Sequence, residues 1–170
     1  MTHLHEIERA RLQEAVNQAW RHFITEEKPP GIDPSAAHPS SPISLPCVFQ
    51  APSGDRCAIG ILMPSDEQAP HLLRHSGGIG ELFTDTLDTE DNIHYDMDHE
   101  LTEAEQAWLL KWAPLRGYLE SLQSCHDLAV QANRYQDDGV LAVALVDFRV
   151  SLAERLTEFC EMNDLTVPST

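Results

Sequence analysis

The sequence predicts a single, mainly helical α+β domain, a helix bundle with one small β-hairpin. Three observations favour this class. Apolar residues recur at three- and four-residue intervals in several long stretches, and one pair of short β-prone segments flanks a Pro/Gly turn. The chain has 170 residues, 42% of them hydrophobic, which is enough for one core. We therefore treat residues 1–170 as one domain.

The N-terminal half is predicted to hold a long helix, an irregular segment and the hairpin. Apolar residues from Leu4 to Ile24 keep to one face, which predicts a helix over residues 3–26. Residues 29–46 contain six of the eleven prolines and several serines, which indicates an irregular segment. Residues 47–50 and 56–59 flank Ala-Pro-Ser-Gly-Asp, so the hairpin is predicted there.

The C-terminal half is predicted to be helical. Short helices are expected after Pro64 and over residues 79–87. Thr102 and Glu105 have the spacing of a capping box, which opens a helix that stops before Pro114. Amphipathic patterns predict further helices from residue 116 to 136 and from residue 140 to 163. Residues 140–146 alone resemble a strand, but the longer apolar repeat favours helix.

Two segments carry a sequence signature. The first is Cys47-Val-Phe-Gln-Ala-Pro-Ser-Gly-Asp-Arg-Cys-Ala-Ile-Gly-Ile-Leu-Met-Pro64, and the second is Leu122-Gln-Ser-Cys-His-Asp127. They resemble a family of small, uncharacterised phage and prophage proteins with Cys-Ala-[Val/Ile]-Gly-x-Leu-[Ile/Met]-Pro followed later by Leu-Gln-x-x-His-Asp. The resemblance covers residues 45–65 and 119–128 and implies a phage or mobile-element origin without naming a reaction. We call residues 57–64 the signature loop and residues 122–127 the signature helix segment.

The charge of the chain limits its partners. Asp and Glu total 28 against 11 Lys and Arg, a formal net charge of −17. This excess argues against direct binding to nucleic-acid phosphates or anionic membranes and favours the basic surface of a host protein as the partner. The N-terminus lacks the apolar core of a secretory signal. We expect a cytoplasmic protein, in the host cytoplasm if phage-encoded, with free thiols and no cofactor. The oligomeric state stays open.

Cys57 and His126 are the candidate catalytic pair, because an imidazole next to a thiol favours the nucleophilic thiolate. Adjacent helical residues point about 100° apart, so Asp127 is expected to face away from His126, leaving no local third member of a triad. Gln123 lies on the same face as His126 and is a possible hydrogen-bond partner. The alternative is structural: Cys57 as a small buried residue and His126 as a core histidine with a polar partner.

Metal binding is a weaker hypothesis. Its candidate ligands are Cys47, Cys57, Cys125 and His126, with His71 and His75 at i,i+4 spacing on one helix. Structural zinc sites generally use ligand pairs two to four residues apart, and this spacing does not match. We therefore expect no metal.

An acidic insert occupies residues 84–101. Between residues 75 and 110 there is no Lys or Arg but ten Asp and Glu. The candidate binding residues within the insert are Asp88, Glu90, Asp91, Asp96, Asp98 and Glu100. This concentration of negative charge suits binding to a basic partner, including by mimicry of a nucleic-acid backbone. It is equally consistent with a solvated loop that keeps the chain soluble.

These observations lead to one functional hypothesis and two alternatives. The first is a non-enzymatic phage or mobile-element accessory protein that binds a host protein through its acidic surface, as an inhibitor of a defence system. The second is a Cys/His-dependent hydrolase or transferase built on Cys57 and His126. The third is a protein that sequesters a small ligand.

Overall fold

Six α-helices and one β-hairpin make up the computed structural model, which describes residues 4–33, 48–75, 77–87, 93, 100–137 and 140–169. In chain order these elements are α1 (Glu6–Trp20) continuing into a π-helical turn (Arg21–Thr25), a 3₁₀ turn (Gly60–Leu62), α2 (Pro70–Leu73), α3 (Ile79–Thr86), α4 (Glu103–Trp112), a second 3₁₀ turn (Ala113–Leu115), α5 (Arg116–Ala132), β1 (Arg134–Asp137), β2 (Val140–Val143) and α6 (Leu145–Met162). The predicted mainly helical α+β class is confirmed.

Parts of two predicted segments cannot be compared with the structure. Residues 34–46 of the irregular segment lie outside the described residues, as do residues 88–92 and 94–99 of the acidic insert. The first residues of that insert, 84–86, form the last turn of α3. Leu87 then makes an isolated antiparallel bridge with Ile93.

The core lies where α1, α5 and α6 meet. Helices α5 and α6, joined by the β1–β2 hairpin, pack against each other through buried faces that include Leu122 and Leu152. Phe23, in the π-helical turn after α1, inserts here, with its ring centroid 5.9 Å from that of Phe148. Burying this apolar surface is the main favourable contribution to the free energy of folding. None of the described helices is long and apolar enough to cross a bilayer.

The predicted position of the hairpin is wrong. In the described residues from 48 to 59, Gln50 and Arg56 form a single antiparallel bridge. Residues 58 and 59 of the predicted second strand form a turn that leads into the 3₁₀ turn at Gly60–Leu62. The Arg56 guanidinium donates hydrogen bonds to the carbonyl oxygens of Gly60, Met63 and Pro64, which hold the chain in this bent path. The hairpin is instead β1 paired with β2, with Arg134 opposite Val143.

The start predicted for the last helix is also wrong. Residues 140–143, which we assigned to that helix, form β2, and α6 begins at Leu145. The β-branched residues Val140 and Val143 suit a strand. The backbone N–H and C=O groups of this segment form their hydrogen bonds with β1, where a helix would have bonded them within the segment itself. The predicted capping box of α4 is confirmed, because Thr102 Oγ1 accepts from Glu105 N (3.2 Å) and Thr102 N donates to Glu105 Oε2 (2.8 Å).

Gly60 allows the signature loop to pack against the preceding chain. A Cβ atom at this position would lie 1.9 Å from the carbonyl oxygen of Phe49, far inside contact distance. Phe49 is buried and its carbonyl also accepts a hydrogen bond from Cys57 N (3.4 Å), so neither side moves freely. The glycine of the signature therefore has a steric role.

We predict that Gly60→Ala lowers the free energy of unfolding by about 1–3 kcal/mol, the usual range for overpacking. Gly117→Ala is the matched control, because Gly117 lies in the first turn of α5 with no atom near its missing Cβ. This control should stabilise the protein by about 0.5–1 kcal/mol, since alanine suits a helix better than glycine. Urea unfolding followed by circular dichroism measures both values, and equal effects of the two substitutions would contradict the steric role.

Candidate functional site

The two signature segments meet in the core. The backbone N–H of Ile59 donates a hydrogen bond to Gln123 Oε1 across 3.3 Å, joining residues 64 positions apart. Ile59 is fully buried and Gln123 is 9% exposed, so this polar contact is shielded from water. A buried backbone N–H without a partner is costly, and Gln123 removes that cost. Residues 57–64 and residues 122–127 therefore contribute to one site.

Gln123 also connects this contact to the His-Asp pair. Its Nε2 donates to Asp127 Oδ1, and the same oxygen lies 3.1 Å from His126 Nδ1. A carboxylate oxygen accepts, so Nδ1 is the donor of this contact in the tautomer that carries the ring proton there. The expectation that Asp127 faces away from His126 is wrong. The short Asp side chain turns back towards the ring although the two Cα–Cβ bonds diverge.

His126 is enclosed by aromatic rings. It is fully buried, and its ring centroid lies 5.1 Å from that of Phe23 and 5.6 Å from that of Phe148. Phe23 comes from the π-helical turn after α1 and Phe148 from α6. No spacing in the sequence connects these residues with residue 126, so sequence reasoning missed both. The enclosure leaves the Asp127 side chain, which is 36% exposed, as the solvent-facing end of the pair.

Cys57 lies in the signature loop with 1% of its surface exposed. Burial in the core raises the pKa of its thiol to about 12, and the negative charge of Asp127 acts in the same direction. The opposing effect of hydrogen bonding, including a bond from Gly60 N to Sγ (3.4 Å), is smaller. A thiol with this pKa stays protonated at neutral pH, which is the reverse of what an activated nucleophile requires.

The weak metal candidates do not come together. Among the described residues, no group of His, Cys, Asp and Glu is arranged to hold a metal ion, and Cys47 lies outside them. The Cys125 thiol faces α6, where it donates to the carbonyl oxygen of Arg155 (3.8 Å). His75 Nε2 lies 3.0 Å from Asp85 Oδ2, and its Nδ1 accepts from Gly77 N. Both nitrogens of His75 are thus used in local contacts.

Of the six candidate binding residues in the acidic insert, the structure describes only Glu100, which is exposed. Asp88, Glu90, Asp91, Asp96 and Asp98 lie outside the described residues. A second acidic surface was missed by the sequence analysis. It follows the outer face of α6, where Asp147, Glu154, Glu158 and Glu161 are all exposed. Their spacing of seven, four and three residues was readable from the sequence.

A groove of about 540 Å³ opens beside α2. Val48, Ala51, Pro70 and Leu73 give it apolar surface, and polar groups line the remainder, among them the guanidinium of Arg74. Asp66, another lining residue, is held by Gln50 and Arg56, which lower the pKa of its carboxyl. The volume suits a small organic molecule.

Comparisons of the chain with protein-family models, with curated proteins and with solved structures found no match.

We predict that the Cys57 thiol reacts with iodoacetamide at pH 8 at least about a thousandfold more slowly in the folded protein than in urea. The rise in pKa alone removes about three orders of magnitude of thiolate, and burial blocks access. Peptide mapping by mass spectrometry separates the cysteines, and half-buried Cys125 provides an internal comparison that should react faster. Equal rates for Cys57 in the folded and unfolded states would restore it as a candidate nucleophile.

We also predict that His22 makes the protein less stable in mild acid. Burial lowers its pKa, and this effect is larger than the electrostatic influence of the neighbouring residues Glu26, Lys28, Asp55 and His126. The unfolded chain then binds a proton more readily than the folded one, so the free energy of unfolding falls as the pH drops below about 6.5.

His22→Gln should reduce this slope between pH 7.5 and 5. Urea unfolding at several pH values gives the slope of each protein. The other histidines are present in both proteins, so their contributions cancel in the difference between the two slopes. A slope that is unchanged in the variant would contradict the assignment. The exposed residue His5 offers a control, because His5→Gln leaves the burial of His22 intact.

Proposed function

We propose that this chain is a non-enzymatic accessory protein of phage or mobile-element origin that binds a basic surface of a host protein and thereby inhibits a defence system. The observation that carries the proposal is the acidic outer face of α6. Glu154, Glu158 and Glu161 are exposed there at successive helical positions, and none forms an ion pair with another described residue.

This face is unfavourable for the isolated helix. Glu154 and Glu158 are like charges at i,i+4 spacing, which destabilises a helix by a few tenths of a kcal/mol. Glu158 and Glu161 lie near the C-terminus of α6, where the helix dipole favours cations, and the last turn contains no basic residue. Residues that destabilise their own helix and make no compensating contact within the chain are typical of binding surfaces.

No ion pair among the described residues neutralises these acids. All eleven Lys and Arg belong to the described residues, and several are already paired elsewhere. The ion pairs are Arg9–Asp164, Arg56–Asp66, Lys111–Glu14 and Arg149–Glu27. On the same side of α6, Val146 and Val150 are 69% and 55% exposed, which adds apolar contact area for a partner.

The burial of Cys57 and its raised pKa count against the alternative of a Cys/His hydrolase or transferase. Such an enzyme needs an accessible thiol that loses its proton near neutral pH. The tight enclosure of His126 also leaves little room for a substrate beside the ring. The same observations support a structural role for both residues.

A tagged pull-down from host lysate at low and moderate salt tests the proposal, with quantitative titration of any stoichiometric partner. We expect Glu154→Gln/Glu158→Gln/Glu161→Gln to weaken binding about tenfold at low salt, and less at high salt, because screening reduces exposed charge interactions. Asp96→Asn/Asp98→Asn/Glu100→Gln tests the acidic insert in parallel.

The matched control is Glu6→Gln/Glu67→Gln/Glu120→Gln, which removes the same charge from three other exposed positions. If this control weakens binding as much as the α6 variant, the effect is one of net charge and the proposed face is wrong. Affinity that is unchanged in both test variants would refute binding through acidic surfaces altogether.

The groove beside α2 favours a second candidate function, the sequestration of a small ligand. Its volume of about 540 Å³ is within the range of small-molecule sites, and Asp66 and Arg74 offer polar groups to a ligand. Native mass spectrometry of protein taken directly from infected cells would show such a ligand as extra mass, and Val48→Trp, at a partly exposed position of the lining, should abolish it by filling the groove. Protein with no extra mass from infected cells would count against this function.

A further inference from the structure

Glu105 makes contacts that reach beyond its own helix. Its side chain is fully buried, and besides closing the capping box of α4 its Oε1 accepts hydrogen bonds from the backbone N–H groups of His71 (2.7 Å) and Leu72 (3.1 Å). Oε2 accepts from Thr102 N (2.8 Å). One carboxylate therefore serves the first turns of two helices that are more than thirty residues apart in sequence.

Helix α2 depends on this contact. It has only four residues, and short helices are unstable in isolation because nucleation is costly. The residue at its N-cap position is Ala69, whose side chain cannot accept a hydrogen bond. Glu105 supplies the missing acceptor from α4, with charge-assisted bonds that are stronger than neutral ones.

Two further contacts hold the same stretch of chain against α4. Thr102 Oγ1 donates to the carbonyl oxygen of Gln68 (2.5 Å), and Trp108 Nε1 donates to that of Leu62 (2.8 Å). The stretch from Leu62 to Leu72 leads from the signature loop into the wall of the groove, which α2 and the following residues form. Thr102 is also close to the C-terminal end of the acidic insert.

We infer that Glu105 is a positioning residue that fixes the groove wall and the end of the acidic insert together. The groove wall and residues 100–105 then form one cooperative unit that opens separately from the α5–α6 core. Loss of the Glu105 contacts should release α2 and the residues around Thr102 together while α5 and α6 stay folded.

Hydrogen exchange of Glu105→Gln tests this inference without a partner or ligand, so its outcome is independent of the proposed function. The amide can present its one oxygen to one side only, and its NH₂ group then faces a backbone donor on the other. We expect exchange about tenfold faster at His71 and Leu72, or at Thr102, with α5 and α6 unchanged. The matched control is Glu103→Gln, an exposed position in the same first turn.

Exchange at these amides that is no faster than in the Glu103→Gln control would overturn the inference, as would an equal acceleration in α5 and α6. If Glu105→Gln does not fold, exchange of the unaltered protein at increasing urea decides the question. The amides of His71, Leu72 and Thr102 should then open together, at lower urea than those of α5 and α6. If these amides exchange only when the whole protein unfolds, they do not belong to a separate unit.

Discussion

The hydrogen bond from the Ile59 backbone to the Gln123 side chain is the constraint on which the arrangement of the signature depends. It lies in the core, where an unpaired N–H or amide oxygen would cost about 1–3 kcal/mol. Gln123 satisfies Ile59 on one side and Asp127 on the other, and Asp127 in turn contacts the ring of His126. The signature loop and α5 are thereby joined by a continuous chain of polar contacts.

This polar junction explains the chemistry of the signature residues in structural terms. Gly60 lets the loop approach Phe49, Cys57 fills a buried position without a charge, and His126 fits between Phe23 and Phe148 while its Nδ1 meets a carboxylate. A thiol whose pKa is raised to about 12 and an imidazole enclosed by rings suit a packed junction better than a reaction centre. The proposed functions therefore rest on the acidic face of α6 and on the groove beside α2.

The sequence predicted what depends on near neighbours. Helical periodicity placed the helices, and the Thr102–Glu105 capping box followed from two residues three positions apart. The observed hairpin was missed because residues 134–136 and 140–143 also fit the apolar repeats of the helices predicted over residues 116–136 and 140–163. Contacts between distant segments were beyond prediction: Glu105 reaching α2, the rings around His126, and Gln123 bonding to Ile59. The predicted direction of the Asp127 side chain was wrong for another reason. Rotation about its side-chain bonds brings the carboxylate back towards His126, although helical geometry separates the two Cα–Cβ bonds.

The most direct test of the junction is the stability of Gln123→Met, which keeps the size of the side chain but removes the acceptor for Ile59 N–H and the donor to Asp127. Gln131→Met, at an exposed position on the same helix, is the control. Urea unfolding should show a loss of about 1–3 kcal/mol for Gln123→Met and little change for Gln131→Met. Equal stability of the two variants would mean that the signature is not held together by Gln123, and would contradict the structural account of these residues.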